Sequence, residues 1–310
     1  MGFDRDALAA AVARHGRVTR VVIAAIQGSS PREVGAAMLV WEGGQSGTIG
    51  GGALEYEAAA QARRIESARL SRHPLGPQLG QCCGGAVTLL SEVYDAAALA
   101  RLEGDVVARP AGTASQMPLS VKRLLAAARN SGARPEPQLI DGWMVEPVHR
   151  PSRPLWLWGA GHVGRAIAGV MAPLPEFEIT WIDTAPERFP DPLPEGVAAL
   201  PAAEPGLLVS RAPDDAMHLV LTYSHALDLD LCHRLLAHRF AWAGLIGSAT
   251  KWARFRARLA ALGHAPEQIA RITCPIGDPA LGKHPQAIAL GVAAALLRLP
   301  PAHARKEHRA

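Results

Sequence analysis

The sequence predicts an α/β protein: a Rossmann-like parallel-sheet domain over 151–310, preceded by a smaller α+β domain over 1–150. Three observations carry this reading. Trp158-Gly159-Ala160-Gly161-His162-Val163-Gly164-Arg165 places a complete GxGxxG between the apolar run Leu155 to Trp158 and the helical pattern Val163, Ile167, Val170, Met171. Such a turn uses glycine for a tight bend, for close approach of backbone to a phosphate, and for packing helix on strand. Further on, Glu178 to Asp183 reads as a second short strand ending in a carboxylate, the position that hydrogen-bonds a ribose hydroxyl in such folds. The plainer alternative for Asp183 is a turn or helix-cap residue. Thirdly, Pro147-Val148-His149-Arg150-Pro151-Ser152-Arg153-Pro154 is punctuated by prolines that neither a helix nor a central strand continues through, and it reads as a linker between domains.

Within the first domain, the β-branched run Arg17 to Ile26 reads as a buried strand, broken at Gly28-Ser29-Ser30-Pro31-Arg32. Met38 to Trp41 is a further strand, with Glu42-Gly43-Gly44-Gln45 as the hairpin turn. Gly47-Thr48-Ile49-Gly50-Gly51-Gly52 then runs into a helix with Leu54, Ala58, Gln61 and Ile65 on one face. Glycines at a helix entrance expose backbone N–H groups, and the helix dipole adds partial positive charge, so Gly50, Gly51 and Gly52 form a candidate anion site. A tight turn packed on a neighbour explains the same glycines.

Gly80-Gln81-Cys82-Cys83-Gly84-Gly85 sets a vicinal thiol pair between glycines, before a strand from Val87 to Val93. Adjacent cysteines rarely bridge each other. Glycine on both sides lets a ligand, a metal or another backbone approach, and thiolate suits a soft metal or sulfur transfer. The other two cysteines, Cys232 and Cys274, read as core thiols, and no zinc spacing occurs. Val106 to Pro118 is rich in Gly and Pro and leads into a helix at Val121, Leu124, Leu125 and Ala128, after which Leu139 to Val145 reads as one strand.

The second domain continues with a buried-type strand, Met217 to Thr222, and Tyr223-Ser224-His225-Ala226-Leu227-Asp228 at its carboxyl end opens a helix with Leu231, Leu235 and Leu236. Ligands of doubly wound sheets sit beyond these strand ends, so His225 stands where recognition or chemistry occurs; Ser224 or Asp228 as an N-cap is the bland account. Trp242 to Ile246 is the next strand, ending at Gly247-Ser248. Its helix sets Trp252, Phe255, Leu259 and Leu262 on the core face, with Lys251 in the first turn placed to meet a phosphate. Ile272 to Ile276 closes the strand set, and Gly282-Lys283 precedes a terminal helix with Pro at its first position.

At 310 residues the chain has room for two cores. A formal charge of +4 fits a solvated arginine-rich surface, with no aromatic-interleaved basic stripe of the kind that binds nucleic acid. The first eight residues lack a signal peptide's apolar core, and the longest apolar stretch, Ala287 to Leu297, is too short to span a bilayer. These features predict a cytoplasmic protein without nucleic-acid or membrane partners.

The segments GSSPREVGAAMLV, GTIGGGALE, GQCCGG, GAGHVGRAIA, WIDTAPERFP, SHALDLDLC, GLIGSATKWARFRARLA and CPIGDPALGKHPQAIAL, in this order, resemble the XdhC family, accessory proteins of xanthine dehydrogenase and related molybdenum hydroxylases. The resemblance runs from Val21 to Leu296. It departs from the family in the loop before the last helix, where Asp278-Pro279-Ala280-Leu281, His284 and Gln286 replace a more glycine-rich, acidic pattern.

It implies a non-enzymatic chaperone that binds the molybdenum cofactor, holds it during terminal sulfuration and delivers it to apo xanthine dehydrogenase. Cysteine desulfurase and cofactor-biosynthesis proteins would be further partners of a homo-oligomer. The implied contacts are Gly50, Gly51, Gly52, Cys82, Cys83, Gly84, Gly85, Gly159, Gly161, His162, Gly164, Asp183, His225, Ser248, Lys251 and Lys283, with Cys83 against molybdenum. The alternative class is an NAD(P)-dependent oxidoreductase using the same turn and Asp183, with His225 as acid/base.

Overall fold

The computed structural model describes residues 2–75, 84–112 and 116–300. Cys82 and Cys83 lie outside the described residues. The chain divides into two compact units, Met1–Arg150 and Pro151–Ala310.

In the first unit, helix α1 (Arg5–His15), capped by Asp4, precedes β1 (Val18–Gln27), β2 (Ala37–Trp41), β3 (Gly44–Gly47), α2 (Gly52–Ala62), β4 (Arg69–Pro74) and β5 (Ala86–Tyr94). The strands form an antiparallel sheet in the order β3-β2-β1-β5-β4, so the β-branched run lies at its centre. Strand β1 is buried on both faces because it is covered on both. Val21 and Ile23 pack with Leu54 and Ala58 of α2, whereas Val22 and Ala24 pack with Leu90 and Met144 on the opposite face. That second face is covered by a three-stranded sheet of β6 (Val106–Pro110), β7 (Gln138–Ile140) and β8 (Trp143–Pro147), in the order β6-β8-β7. Helices α3 (Ala96–Ala100) and α4 (Leu119–Ser131) complete the unit.

Three local expectations change. The single strand expected over Leu139 to Val145 is a hairpin, turned by Asp141 and Gly142 at φ of 48° and 76°, the left-handed pair that a two-residue turn needs. The Gly/Pro-rich stretch from Val106 opens with strand β6. The expected linker is shorter than drawn, since Pro147 ends β8 and Arg153 begins the next strand.

The second unit alternates strand and helix: β9 (Arg153–Trp158), α5 (His162–Met171), β10 (Phe177–Asp183), β11 (Val197–Pro201), β12 (Met217–Val220), α6 (His225–Leu236), β13 (Trp242–Leu245), α7 (Ala249–Ala261), α8 (Pro266–Ile269), β14 (Ile272–Thr273) and α9 (Pro285–Leu297). The six strands are parallel, in the order β11-β10-β9-β12-β13-β14. Leu155 and Leu157 face α5 and α9, while Trp156 and Trp158 face the Leu231, Leu235 and Phe255 side. A parallel sheet covered on both faces explains why these strands read as continuous apolar runs. Leu262 is 52% exposed as the C-cap of α7, outside the core face expected for it. Among the described residues, no helix is long and apolar enough to cross a membrane.

Candidate functional site

The chain leaves β9 toward β10 on one side of the sheet and later returns to β12 on the other, so the ends of β9 and β12 flank a topological switch point. The glycine turn sits there, and its three glycines do different work. A Cβ on Gly159, at φ 121°, would lie 2.4 Å from the Leu221 carbonyl, and one on Gly164 would lie 2.1 Å from the Gly159 carbonyl. Both are closed by backbone. Gly161, by contrast, faces open space and is the N-cap of α5 with no side chain capping the first-turn N–H groups. His162 follows it, exposed.

Asp183 is buried at 4% exposure. Its carboxylate accepts from the Ala160 amide at 2.5 Å, from the Thr184 amide at 2.6 Å and hydroxyl at 3.1 Å, and from Arg188 Nε at 3.0 Å. The acid expected to meet a ribose instead braces the glycine turn. The Arg188 guanidinium in turn lies 4.6 Å from the ring centre of Tyr223, which is 66% exposed at the mouth of the crevice.

Beyond β12, Ser224 caps α6 by accepting from the Leu227 amide. Asp228 is fully buried, with one oxygen accepting from the Thr222 amide and hydroxyl, both at 2.8 Å, and the other bound to Lys251 Nζ at 2.6 Å. Lys251 also donates to the Ile246 carbonyl at 3.0 Å. The lysine expected to reach a phosphate is therefore committed to a buried ion pair that ties α6 to α7. Ser248 accepts from the Lys251 amide as the cap of α7. His225 is exposed, its ring edge-on to Phe255, and Lys283 is exposed in the turn before α9. Of the two lone cysteines, Cys232 is fully buried and Cys274 only half-buried. Burial pushes the Cys232 thiol up to about 12 and that of Cys274 up to about 11, so neither is an activated nucleophile.

In the first unit three motifs meet at one loop. A Cβ on Gly85 would lie 2.2 Å from the Ser29 carbonyl, and one on Gly50 would lie 2.6 Å from the Pro31 ring. The 28–35 loop thus packs against both glycine motifs. Of the approaches that glycine on both sides allows, another backbone takes the one at Gly85, whereas Gly84 has open space. The glycine cluster before α2 carries its own anion. Glu55 accepts from the amides of Ile49 and Gly51 at 2.9 and 3.0 Å, from the Thr48 hydroxyl at 2.5 Å and from Gln45 at 3.1 Å. These hydrogen bonds outweigh partial burial and hold its carboxyl below the usual range.

Sequence reasoning passed over a buried charge cluster on the inner face of this sheet. Arg20 binds both oxygens of Glu146 at 3.0 and 2.8 Å, and Arg109 bridges Glu146 at 2.5 Å to Glu92 at 2.6 Å. The Phe3 ring lies 4.5 Å from one guanidinium and 4.9 Å from the other. Burial disfavours the Glu146 charge, but Arg20 and Arg109 together keep its carboxyl low. The signal was an arginine inside an otherwise apolar strand, which demands a buried partner. Also missed was His218, fully buried on β12, whose Nδ1 accepts from Trp158 Nε1 at 3.2 Å. Among the described residues no three His, Cys, Asp or Glu side chains are grouped to hold a metal ion.

Two protein-family models match the chain: the XdhC and CoxI family over residues 11–73, and the XdhC Rossmann domain over residues 155–296. The chain is 28% identical over 282 residues to the uncharacterized protein YqeB of Escherichia coli (strain K12), covering 88% of this chain and 42% of that protein. It thus spans less than half the length of that relative. A crystal structure of a xanthine dehydrogenase (BH1974) from Bacillus halodurans superposes with a TM-score of 0.72 at 20% identity, covering 99% of this chain and 98% of that one. That likeness extends the shared fold over both units. With both family models matched in order on the two units, the chain belongs to the XdhC family.

Proposed function

We propose that this protein serves the maturation of xanthine dehydrogenase or a related molybdenum hydroxylase, binding the molybdenum cofactor, holding it during terminal sulfuration and delivering it to the apoenzyme. The observation that carries the reading, beside family membership, is the state of the crevice at the switch point. It offers one open, uncapped helix N-terminus at Gly161, while the acid and the lysine around it are already paired. Such a place binds an anionic group.

The cofactor's phosphate fits this opening, with Gly161 and His162 as the residues that would hold it. Bound cofactor supplies the hydroxylase's redox-active metal centre; the residues of this chain position and shield it. Cysteine desulfurase is the proposed sulfur donor. The NAD(P) alternative draws on the same turn but calls for a ribose acid at Asp183, and that carboxylate already accepts four hydrogen bonds.

The test is reconstitution of cofactor-free xanthine dehydrogenase with a cofactor source and increasing amounts of this protein. Recovered activity should rise until the two proteins are near equimolar, with molybdenum leaving this chain as it enters the enzyme. No gain in activity, together with no molybdenum retained by this chain, would overturn the reading.

A further inference from the structure

The three-stranded sheet of the first unit has β6 at one edge, and its pairing with β8 fixes which way each backbone group of β6 points. The Val148 amide donates to the Asp105 carbonyl, and the Ala111 amide donates to the Gly142 carbonyl. Between these two bonds the register is unbroken, with Val107 opposite Glu146 and Arg109 opposite Met144. In an antiparallel ladder the hydrogen-bonded pairs recur at every second residue, so Asp105, Val107, Arg109 and Ala111 turn their backbone groups toward β8. Val106 and Ala108 therefore turn both N–H and C=O the other way. Among the described residues no strand pairs with β6 on that side.

That side belongs to a cleft of about 900 Å³, lined by the continuous run Val106 to Arg109. Four residues of strand span roughly 13 Å at about 3.3 Å each, a length that suits an extended peptide. An open edge is a template for a further strand unless something blunts it, and on β6 only the terminal Pro110 lacks the N–H that such a strand would use. The cleft also continues both faces of β6. Val107 packs with Tyr94 and Leu102 on one face, whereas Val106 and Ala108 pack with Leu125 on the other, and all three of these neighbours line the cleft. The side chains of an added strand would alternate between these two walls. Charges of both signs line the cleft as well, with exposed Glu66 and Glu103 beside exposed Arg101 and Arg129, which favours neither a polyanion nor an anionic membrane.

We propose that the β6 edge receives an extended, proline-free segment of a partner polypeptide, which joins the sheet as a fourth strand through the backbone groups of Val106 and Ala108. The proposal does not depend on the cofactor reading: peptide binding and cofactor delivery are separate measurements, and either can fail while the other stands.

The test begins with amide hydrogen exchange of the full chain, read residue by residue. The Val106 and Ala108 amides should exchange at least tenfold faster than those of Val107 and Arg109, which the β8 ladder holds. A synthetic library of proline-free heptapeptides then supplies the probe, and its best member should saturate below about 1 mM and slow exchange at Val106 and Ala108. N-methylation of every second peptide amide should weaken binding at least tenfold in one phase and leave it unchanged in the other. Ala108→Pro removes an N–H that the β8 ladder does not use, so it should lower peptide affinity at least tenfold with an unchanged circular dichroism spectrum. If that variant does not fold, the two N-methylated series on the unaltered chain decide the matter. The proposal is overturned if the Val106 and Ala108 amides of the free protein are as protected as their neighbours, as they would be under a strand of this chain or of a second copy. It is equally overturned if no peptide saturates, if both N-methylated series bind alike, or if folded Ala108→Pro binds unchanged.

Discussion

The two units each carry a glycine turn opening a helix, and the turns have reached opposite states. Before α2, Glu55 reaches back from the helix's own first turn and takes the amides of Ile49 and Gly51, so the loop is already filled by a carboxylate. Before α5, the acid is Asp183 on a neighbouring strand; of the glycine turn's amides it takes that of Ala160, and Gly161 stays beside open space. Glycine content alone therefore does not make an anion site. What decides is where the nearest acid is anchored, and how many of the exposed N–H groups it can reach.

The largest effect that would break this comparison lies within the second turn. Gly164→Ala drives a Cβ to 2.1 Å from the Gly159 carbonyl, a backbone atom that cannot swing aside. We expect a loss of about 3 kcal/mol or more and loss of the second unit's cooperative unfolding. Gly161→Ala, at φ −71° and facing open space, should cost under about 1 kcal/mol. Gly161→Val should then abolish cofactor and anion binding in a protein that still melts normally. If Gly164→Ala melts like the parent, or folded Gly161→Val retains the same affinity, the division of labour among the glycines is wrong.

A second difference concerns how each unit buries its titratable groups. Both units bury paired ions, Glu146 held low by two arginines in the first and Asp228 on Lys251 in the second, but the second also buries neutral His218, which burial, with a smaller push from His238, pulls down to about 3. A depressed histidine is stabilising above its unfolded value near 6.5, and that stability drains as pH falls from there toward 3, because the unfolded chain takes the proton first. A depressed carboxylate keeps its stability until pH falls below about 4.5 and toward its own lower value. Between pH 6.5 and 5 the second unit should therefore lose about 2 kcal/mol. His73, half-buried and lowered by burial, gives the first unit only a shallower slope. His218→Phe should flatten the second unit's profile; a slope unchanged by the substitution would remove His218 as its cause.

Much of this was legible from residues alone, and the failures have physical reasons. The parallel strands and the motif turns announced themselves because buried strands read as apolar runs and GxGxxG has few other uses. Strand β4, with Arg69, Arg72 and His73, and the partly exposed edge strand β11 carry no apolar alternation to detect. The hairpin of β7 and β8 was detectable from Asp141-Gly142, a turn pair hidden by the apolar residues on both sides. At the site, glycines and capping serines could be placed from chain position. The pairing of Lys251 with Asp228, 23 residues apart, is set by how α6 and α7 pack, which no local pattern records.

Glu55 is the intermediate case, and it yields the smallest but sharpest test. An acid four residues after Gly51 is close enough in sequence to have been read as the filler of its own loop, much as a capping-box glutamate serves its helix. If the loop is a true anion cradle satisfied internally, Glu55→Ala should cost about 1 kcal/mol, since the stranded amides lie partly within reach of water. The same variant should then gain what the parent lacks. Added sulfate should raise its melting temperature saturably by occupying the vacated position, beyond the general stabilisation that sulfate gives any protein, which the parent measures under identical conditions. Glu55→Gln keeps the size but not the charge, and should fall between the two. Equal sulfate responses in parent and Glu55→Ala would mean that the carboxylate merely staples the loop and that the backbone there has no anion-binding capacity of its own.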